Sequence, residues 1–241
     1  MAVSDLTSYP PPAPEPGPPR RRDYDSPGID PQTAGPTPWP TIRHWVSEAI
    51  AASESLPGLA EPTAVSVATV DADGVPNVRT VLARFLDEHG PGCVSSLHSA
   101  KAAELAANPH IALSYTWPGL FRAIRFRGTA AAIETEALVA YWRTRPYGSQ
   151  IAACASLQSH PIGSRQELER EFATWAAHYP ETGSVDDVPM PADFHGWRVH
   201  PTEVEFWAGR RSRLHDRIVY TRVADGTLDD PAAWAVSRRQ P

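Results

Sequence analysis

Two segments with strand-like patterning, residues 64–70 and 78–85, flank the tetrapeptide Asp71-Ala72-Asp73-Gly74. Alternating and β-branched apolar residues on both sides of a glycine-ended turn are typical of a β-hairpin. Further strands are predicted at residues 93–97, 111–117, 123–133, 196–199, 203–207 and 217–222. Because hairpins come first and no strand–helix alternation follows, the pattern favours an antiparallel sheet in an α+β or β-barrel domain over a parallel sheet.

Helical periodicity appears between these strands. From near Thr41 to about Ser55, apolar residues recur at the spacing of one helix face, which predicts an amphipathic helix. Other helices are predicted at residues 100–108, 136–143, 149–156 and 164–178. Ser99 and Ser164 directly precede two of them and are predicted N-caps.

Residues 1–40 have a different composition, because they hold 12 of the 26 prolines of the chain. Such a segment buries too little apolar surface to offset the entropy of ordering it, so a disordered or polyproline-like tail is predicted. A proline-rich ligand for a partner domain is the functional alternative. The ordered domain is then residues 41–241, and a chain truncated near Pro38 is expected to fold and stay active.

Composition narrows the function classes. A chain of 241 residues with 41% hydrophobic residues and net charge −6 predicts a soluble, cytoplasmic domain without nucleic-acid partners. No apolar run is long enough to cross a membrane, and no signal peptide is visible. Cys93 and Cys154 are too few for a disulfide framework or a four-cysteine metal site. Lys101 is the single lysine among 22 basic residues, which makes it a candidate for a role that needs a compact ammonium.

Two clusters have the chemistry of phosphate sites. Arg79 and Arg84 lie in one strand segment, where alternation puts them on opposite faces unless a bulge intervenes. Tyr141 and Arg145 share a helix face, and Ser149 is a candidate cap of the next helix. Guanidinium groups bind phosphate bidentately, and helix N-termini attract anions. A pair of surface arginines and an ordinary helix end are the structural alternatives.

A third cluster follows the aromatic segment Glu205-Phe206-Trp207. Arg213, His215 and Arg217 alternate in sequence, so a strand would point all three side chains the same way. Three such groups on one face favour a bound anion, and the histidine can change charge near neutral pH. A polar edge strand is the alternative.

These blocks together resemble the pyridoxamine (pyridoxine) 5′-phosphate oxidase family, from about Thr41 to Pro241. The resemblance is carried by Arg79-Thr-Val-Leu, Ser99-Ala-Lys101, Tyr141…Arg145-Pro…Ser149-Gln150, Gln158-Ser159, Glu205-Phe-Trp207 and Arg213-Leu-His215-Asp-Arg217. It implies an antiparallel split β-barrel with peripheral helices. It also implies a homodimer with FMN bound at the subunit interface.

The resemblance further implies roles for individual residues. Arg79 and Lys101 would hold the flavin phosphate, and Arg84, Val94 and Ser95 are further flavin-contact positions. Four residues would contact the flavin across the dimer: Gln158, Ser159, Trp207 and Arg217. Arg84, Tyr141, Arg145 and Ser149 would bind the substrate phosphate. Arg213 and His215 would lie over the substrate ring as the catalytic pair. No metal site is expected.

The sequence departs from the family pattern at five positions. Arg84 stands where the family has a lysine for the substrate phosphate. Val94-Ser95 replaces a Tyr-Thr pair, Ala100 an arginine, and Ala123 a glutamine that contacts the flavin. The substrate end is therefore better preserved than the flavin end.

The resemblance implies oxidation of pyridoxamine or pyridoxine 5′-phosphate to pyridoxal 5′-phosphate, with dioxygen as acceptor and hydrogen peroxide as product. Three alternatives stay open. A related split-barrel oxidase could act on a reduced phenazine-type product, or use a deazaflavin in place of FMN. A non-enzyme alternative is a pyridoxal-phosphate carrier that has lost FMN.

Overall fold

The computed structural model describes residues 23–56 and 59–241. Within these residues, nine strands form one antiparallel sheet and six helices lie around it. The strands are β1 (Ala64–Val70), β2 (Pro76–Leu82), β3 (Phe85–Asp87), β4 (Gly90–Ser96), β5 (His110–Trp117), β6 (Arg122–Ala132), β7 (Phe194–Ala208), β8 (Asp216–Arg222) and β9 (Trp234–Arg239). The helices are α1 (Pro31–Ala34), α2 (Trp39–Ser53), α3 (Ala100–Ala107), α4 (Thr135–Thr144), α5 (Tyr147–Ala155) and α6 (Arg165–His178). The predicted antiparallel α+β architecture is confirmed.

The long strand β7 divides the sheet. The main strand order is β2-β1-β5-β6-β7-β4-β3, and β8, followed by β9, pairs with the later part of the same edge of β7 that β4 pairs with. The first part of β7, from Phe194 to Arg198, pairs with β4, whereas its last part, Glu203 to Ala208, pairs with β8. On its other side β7 pairs with β6 over almost its whole length. The sheet therefore splits into two arms, and β7 is common to both.

The prediction of separate strands at 196–199 and 203–207 is wrong, because β7 runs through both. A register shift between Arg127 and Gly128 of β6 accommodates Pro201, which lacks the N–H that a ladder needs. A Cβ on Gly128 would lie 2.0 Å from the carbonyl oxygen of His200, so only glycine allows this approach. The last strand, β9, was not predicted.

The main core lies between α2 and the sheet. Ile42 and Trp45 of α2 are buried, and the Trp45 ring meets Phe206 of β7 edge-on at 5.4 Å. A second, smaller core around Leu138, Trp142 and Ile151 holds α4 and α5 against the start of β7. This smaller core positions the helices that carry the predicted phosphate-binding residues. None of the helices in the described part of the chain is long and apolar enough to cross a membrane.

The prediction of a disordered tail is wrong for residues 23–40; residues 1–22 lie outside the described part. Asp30 caps the short helix α1, and α2 already begins at Trp39. The Ser26 hydroxyl donates to the carbonyl of Gly209 at 2.8 Å, and the buried Tyr220 hydroxyl donates to the carbonyl of Gly35 at 2.9 Å. Proline-rich composition lowers the entropy of the unfolded chain, so few contacts suffice to order such a segment.

We expect that deletion of residues 1–37 destabilises the fold, whereas deletion of residues 1–22 does not. The longer deletion removes the hydrogen bonds of Ser26 and Tyr220. Each loss costs about 1 kcal/mol, because the remaining group no longer has a hydrogen-bond partner. The predicted loss is about 2 kcal/mol in the free energy of unfolding, measured by urea denaturation of both truncated proteins. Equal stability of the two truncated proteins would show that residues 23–37 contribute nothing to the free energy of unfolding.

Candidate active site

The side chain of Lys101 is buried in a polar cluster at the start of α3. Its Nζ donates to the Ser95 hydroxyl at 2.5 Å and lies 3.4 Å from Oε1 of Gln158. Among the described residues, no carboxylate lies within salt-bridge distance of this ammonium, although the residue is only 6% exposed. Burial lowers the pKa of Lys101, and the charge of Arg79 lowers it further. A buried cation without a counter-ion is the signature of an anion-binding position.

Arg79 lies close to Lys101 but is already neutralised. Its Nη2 donates to Oε2 of Glu104 at 2.6 Å, and its Nη1 donates to the Thr69 hydroxyl. The Asn77 amide donates to the other oxygen of Glu104 at 2.8 Å. Burial alone would raise the pKa of Glu104, but the hydrogen bonds from Thr69, Asn77 and Arg79 hold it below its usual value. Arg79 is therefore oriented by an ionised carboxylate, and Lys101 carries the uncompensated charge.

Arg84, Tyr141, Arg145 and Ser149 line one cavity of about 520 Å³, which we call the arginine pocket. Arg84 lies two residues beyond the end of β2, so strand alternation does not set its direction. It lines this pocket, whereas Arg79 binds Glu104. Arg145 ends α4 and lies 5.8 Å from the centre of the Tyr141 ring, with its Nη2 donating to the Ser149 carbonyl at 2.7 Å. Its buried Nε has no hydrogen-bond partner in the described part of the chain. The pocket thus offers guanidinium donors to an anion.

One detail of the arginine pocket differs from the prediction. Ser149 does not cap a helix, because α5 begins at Tyr147 with Pro146 as its N-cap. The Ser149 N–H donates to the Pro146 carbonyl at 2.8 Å. Proline pre-forms the first turn of a helix, so the start moves two residues upstream of the serine. Ser149 still faces the pocket from the first turn of α5.

The other predicted residues gather around the far end of β7. The Trp207 and His215 rings lie 4.8 Å apart, and Arg217 pairs with Trp207 across β7 and β8. Arg217 also donates two hydrogen bonds, of 3.1 and 2.8 Å, to the buried Glu205 carboxylate. Ala123, which stands where the family has a glutamine, lies on β6 and pairs with Trp207. We call this group, with Tyr24 described next, the aromatic cluster.

Tyr24 belongs to the aromatic cluster, and the sequence analysis missed it. Its ring lies 5.5 Å from that of His215 and 6.0 Å from that of Trp207, and the Arg213 guanidinium lies over it at 5.1 Å. The available signal was an aromatic residue two positions after a run of three arginines, in the segment predicted to be a tail. The N-terminal segment therefore covers the aromatic cluster.

The prediction that one strand carries Arg213, His215 and Arg217 is wrong. Ser212 and Arg213 have φ of 57° and 65°, in the left-handed region, so the chain turns tightly before β8 begins at Asp216. The imidazole ring of His215 is held beside this turn, because its Nδ1 accepts a hydrogen bond from the Arg210 N–H at 3.0 Å. Desolvation and then the charge of Arg213 lower the pKa of His215. Because Nδ1 accepts a hydrogen bond, the neutral ring carries its proton on Nε2 and presents Nε2–H as a donor.

The structure separates the predicted residues into two halves. Ser95 pairs with His195 near the start of β7, and Trp207 lies 12 residues further along the same strand. At 3.3 Å per residue these positions are roughly 40 Å apart along the strand. Gln158 lies with Ser95 and Lys101 in the first half, whereas Trp207 and Arg217, with which it was grouped, lie in the second. Ser159 follows it with a left-handed φ of 72°.

A sheet that splits along one strand and carries cationic pockets at one end is the architecture of a split-barrel protein that binds anionic small molecules. The chain belongs to the pyridoxamine 5′-phosphate oxidase family. That family matches residues 52–179, and the pyridoxine 5′-phosphate oxidase C-terminal dimerisation region matches residues 194–241. The chain is thus an oxidoreductase of this family, and the resemblance seen in the sequence is confirmed.

Individual relatives agree with this assignment. A pyridoxine/pyridoxamine 5′-phosphate oxidase of Kineococcus radiotolerans is 43% identical over 224 residues, which cover 92% of this chain and 97% of that protein. The protein of the same name from Rubrobacter xylanophilus is 40% identical over 221 residues, which cover 92% of this chain and 94% of that protein. Among solved structures, PhzG of Burkholderia lata with bound tetrahydrophenazine-1-carboxylic acid has a TM-score of 0.76 at 25% identity. The match covers 90% of this chain and 99% of PhzG.

Proposed function

We propose that the protein is an FMN-dependent oxidase that converts pyridoxamine or pyridoxine 5′-phosphate to pyridoxal 5′-phosphate. Dioxygen is the acceptor and hydrogen peroxide the second product; the amine substrate also consumes water and releases ammonia. The observation that carries the proposal is the pair of separate cationic sites in one half of the chain. In one site Lys101 has no counter-ion within the described part of the chain, and in the other Arg84 and Arg145 line the pocket. A cofactor and a substrate that each carry a phosphate require such a pair.

The residues around Lys101 fit the FMN phosphate. The buried ammonium needs an anion, and the N-terminus of α3, capped by Ser99, adds backbone donors to the same place. Bound FMN would take a hydride from the exocyclic carbon of the substrate and reduce dioxygen. The protein supplies position and charge. Arg84, Tyr141, Arg145 and Ser149 bind and orient the substrate phosphate.

The second half of the site holds the substrate ring. Arg213 and the neutral His215 donate hydrogen bonds to polar substituents of the pyridine ring, and Trp207 and Tyr24 exclude water from it. Arg217 presents its charge to the flavin ring while Glu205 fixes its direction. These roles add detail to the prediction that Arg213 and His215 are the catalytic pair.

A homodimer follows from the separation of the two halves along β7. One chain cannot bring Lys101 and Trp207 to the same flavin when the strand between them is roughly 40 Å long. Two chains related by a two-fold axis can, because each then contributes the half that the other lacks. The matched C-terminal dimerisation region supports this arrangement.

The test is turnover by the purified protein with added FMN. We expect pyridoxamine 5′-phosphate to yield pyridoxal 5′-phosphate and hydrogen peroxide in equal amounts, measured by absorbance and by a peroxidase-coupled assay. Pyridoxamine without phosphate is the control and should be turned over far more slowly, because the arginine pocket then has no anion to bind. Flavin binding without turnover of either phosphate ester would contradict the proposal.

The likeness to PhzG supports a second candidate, a phenazine-type oxidase. The arginine pocket argues against it, since a substrate without phosphate leaves Arg84 and Arg145 unpaired. A carrier that has lost FMN is supported by Ala123, which offers the flavin no side-chain donor. A colourless protein that binds pyridoxal 5′-phosphate but not FMN would establish that function instead.

A further inference from the structure

One face of strands β6 to β9 carries an excess of positive charge next to the aromatic cluster. Two glutamates and four arginines meet there in ion pairs of 2.6–3.9 Å: Glu203, Glu205, Arg125, Arg127, Arg217 and Arg239. Three of these guanidinium groups surround the buried Glu205 carboxylate. Like charges this close repel one another unless acceptors lie among them. Because two carboxylates leave part of the positive charge uncompensated, this face favours a ligand with acceptor oxygens.

Arg125 has unused donors within this group. Its Nη2 donates to Oε2 of Glu205 at 2.6 Å, but its buried Nε has no hydrogen-bond partner in the described part of the chain. Its Nη1 donates to none of the described residues either, and 43% of the side chain is exposed. Arg217, in contrast, donates to Glu205 through two nitrogens and to the Gln240 carbonyl through the third. Arg125 can therefore donate to a ligand without giving up its bond to Glu205.

Arg125 also lies beside the position where this chain lacks a flavin contact of the family pattern. Ala123 and Arg125 are alternate residues of β6, so their side chains point to the same face, roughly 7 Å apart along the strand. Ala123 offers no side-chain donor, whereas Arg125 carries its guanidinium at the end of a stem of three methylenes. The arginine can therefore reach toward the space that a glutamine at position 123 would fill.

Arg125 and Arg217 are neighbours, because their Nη2 atoms bind the same oxygen of Glu205 at 2.6 and 2.8 Å. In the proposed function, Arg217 presents its charge to the flavin ring. A ring that reaches Arg217 therefore lies close to Arg125 as well. The carbonyl oxygens of the flavin ring accept hydrogen bonds, and a charged donor makes a bond about twice as strong as a neutral one.

We propose that Arg125 is a further FMN-binding residue, which donates a hydrogen bond to a carbonyl oxygen of the flavin ring in place of the glutamine absent at position 123. The inference rests on the proposed function and deepens it. The donor missing at Ala123 is supplied from the next position on the same face, so the substitution does not require loss of FMN. The contact holds the ring and is not itself a step of the oxidation.

The test is the dissociation constant of the flavin, measured by fluorescence quenching on titration with protein. We expect Arg125→Ala to weaken binding of FMN and of riboflavin by the same factor, about tenfold, because both ligands share the ring. Arg127→Ala is the matched control, since Arg127 is the next residue of β6 on this face and lies 3.9 Å from Glu203. It should change neither constant by more than about twofold. Should Arg125→Ala fail to fold, Arg125→Met keeps the stem and removes the same donors.

A second substitution separates a contact with the ring from a structural role. Adding Ala123→Gln to Arg125→Ala should restore most of the lost affinity, since the amide supplies a donor to the ring but no charge beside Glu205. In the native background Ala123→Gln should gain much less, because Arg125 already holds the ring. The inference is overturned by an unchanged constant in Arg125→Ala, by failure of the rescue, or by an equal gain in both backgrounds.

These binding measurements separate failure of this inference from failure of the proposed function. If the native protein binds FMN but oxidises neither phosphate ester, the proposed function fails, while the loss and its rescue still support Arg125 as a flavin-binding residue. If the esters are oxidised and Arg125→Ala binds both flavins like the native protein, the inference alone fails. A native protein that binds neither flavin overturns both.

Discussion

Replacing Lys101 with alanine is expected to weaken FMN binding roughly 10- to 150-fold. The buried ammonium has no carboxylate partner among the residues that the structure describes, whereas Arg79 is already paired with Glu104. The substitution therefore removes the charge that the phosphate needs, which is worth about 1.5–3 kcal/mol for a charge-assisted hydrogen bond. Fluorescence quenching of FMN on titration with protein measures the change. Riboflavin, which lacks the phosphate, serves as the control ligand, and its dissociation constant should hardly change.

The same variant also tests how the site is shared between two chains. A Lys101→Ala homodimer lacks the phosphate half of both sites, and an Arg213→Ala homodimer lacks the ring half of both. After unfolding and refolding as a mixture, heterodimers contain one site with both halves native. About a quarter of the native activity should then return, as random pairing in a two-fold dimer requires. No recovery on mixing would contradict the division of the site along β7.

Replacing Arg84 with alanine is expected to raise the KM for pyridoxamine 5′-phosphate about 30-fold, with a smaller effect on FMN affinity. The arginine pocket keeps Tyr141, Arg145 and Ser149 but loses one charge-assisted contact to a dianion, a cost of about 2 kcal/mol. Steady-state kinetics with the FMN-saturated enzyme measure the shift.

Arg84→Lys is the matched variant. It keeps the charge and restores the compact ammonium that the family has at this position, so turnover should be retained or increased. If Arg84→Ala left KM unchanged, Arg84 would be a surface residue and Arg145 alone would bind the phosphate.

The sequence predicted local elements well because their signals are local. Ser99 and Ser164 cap α3 and α6 as expected, and Gly74 turns the first hairpin with a positive φ of 81°. Tyr141 and Arg145 meet because their spacing on a helix brings them together. In each case the interacting residues are fewer than five positions apart.

What the sequence could not predict depends on distant contacts. Residues 23–40 are ordered by partners such as Gly209, directly after β7, and Tyr220, in β8. The turn at Arg213 requires a left-handed backbone conformation, and there is no glycine at this position to indicate it in the sequence. The grouping of Gln158 with Lys101 arises because the segment after α5 folds back onto β4, which no periodicity encodes.

The burial of Lys101 has a chemical consequence under the proposed function, in which the product is an aldehyde. Pyridoxal 5′-phosphate condenses with unprotonated primary amines, and exposed lysines are the usual protein targets. This chain has no other lysine, and the ammonium it does have lies inside the cluster of Ser95 and Gln158. With the cofactor phosphate paired to it, that amine stays charged and inaccessible. Under the proposed function, the aldehyde product therefore does not capture this lysine as an imine.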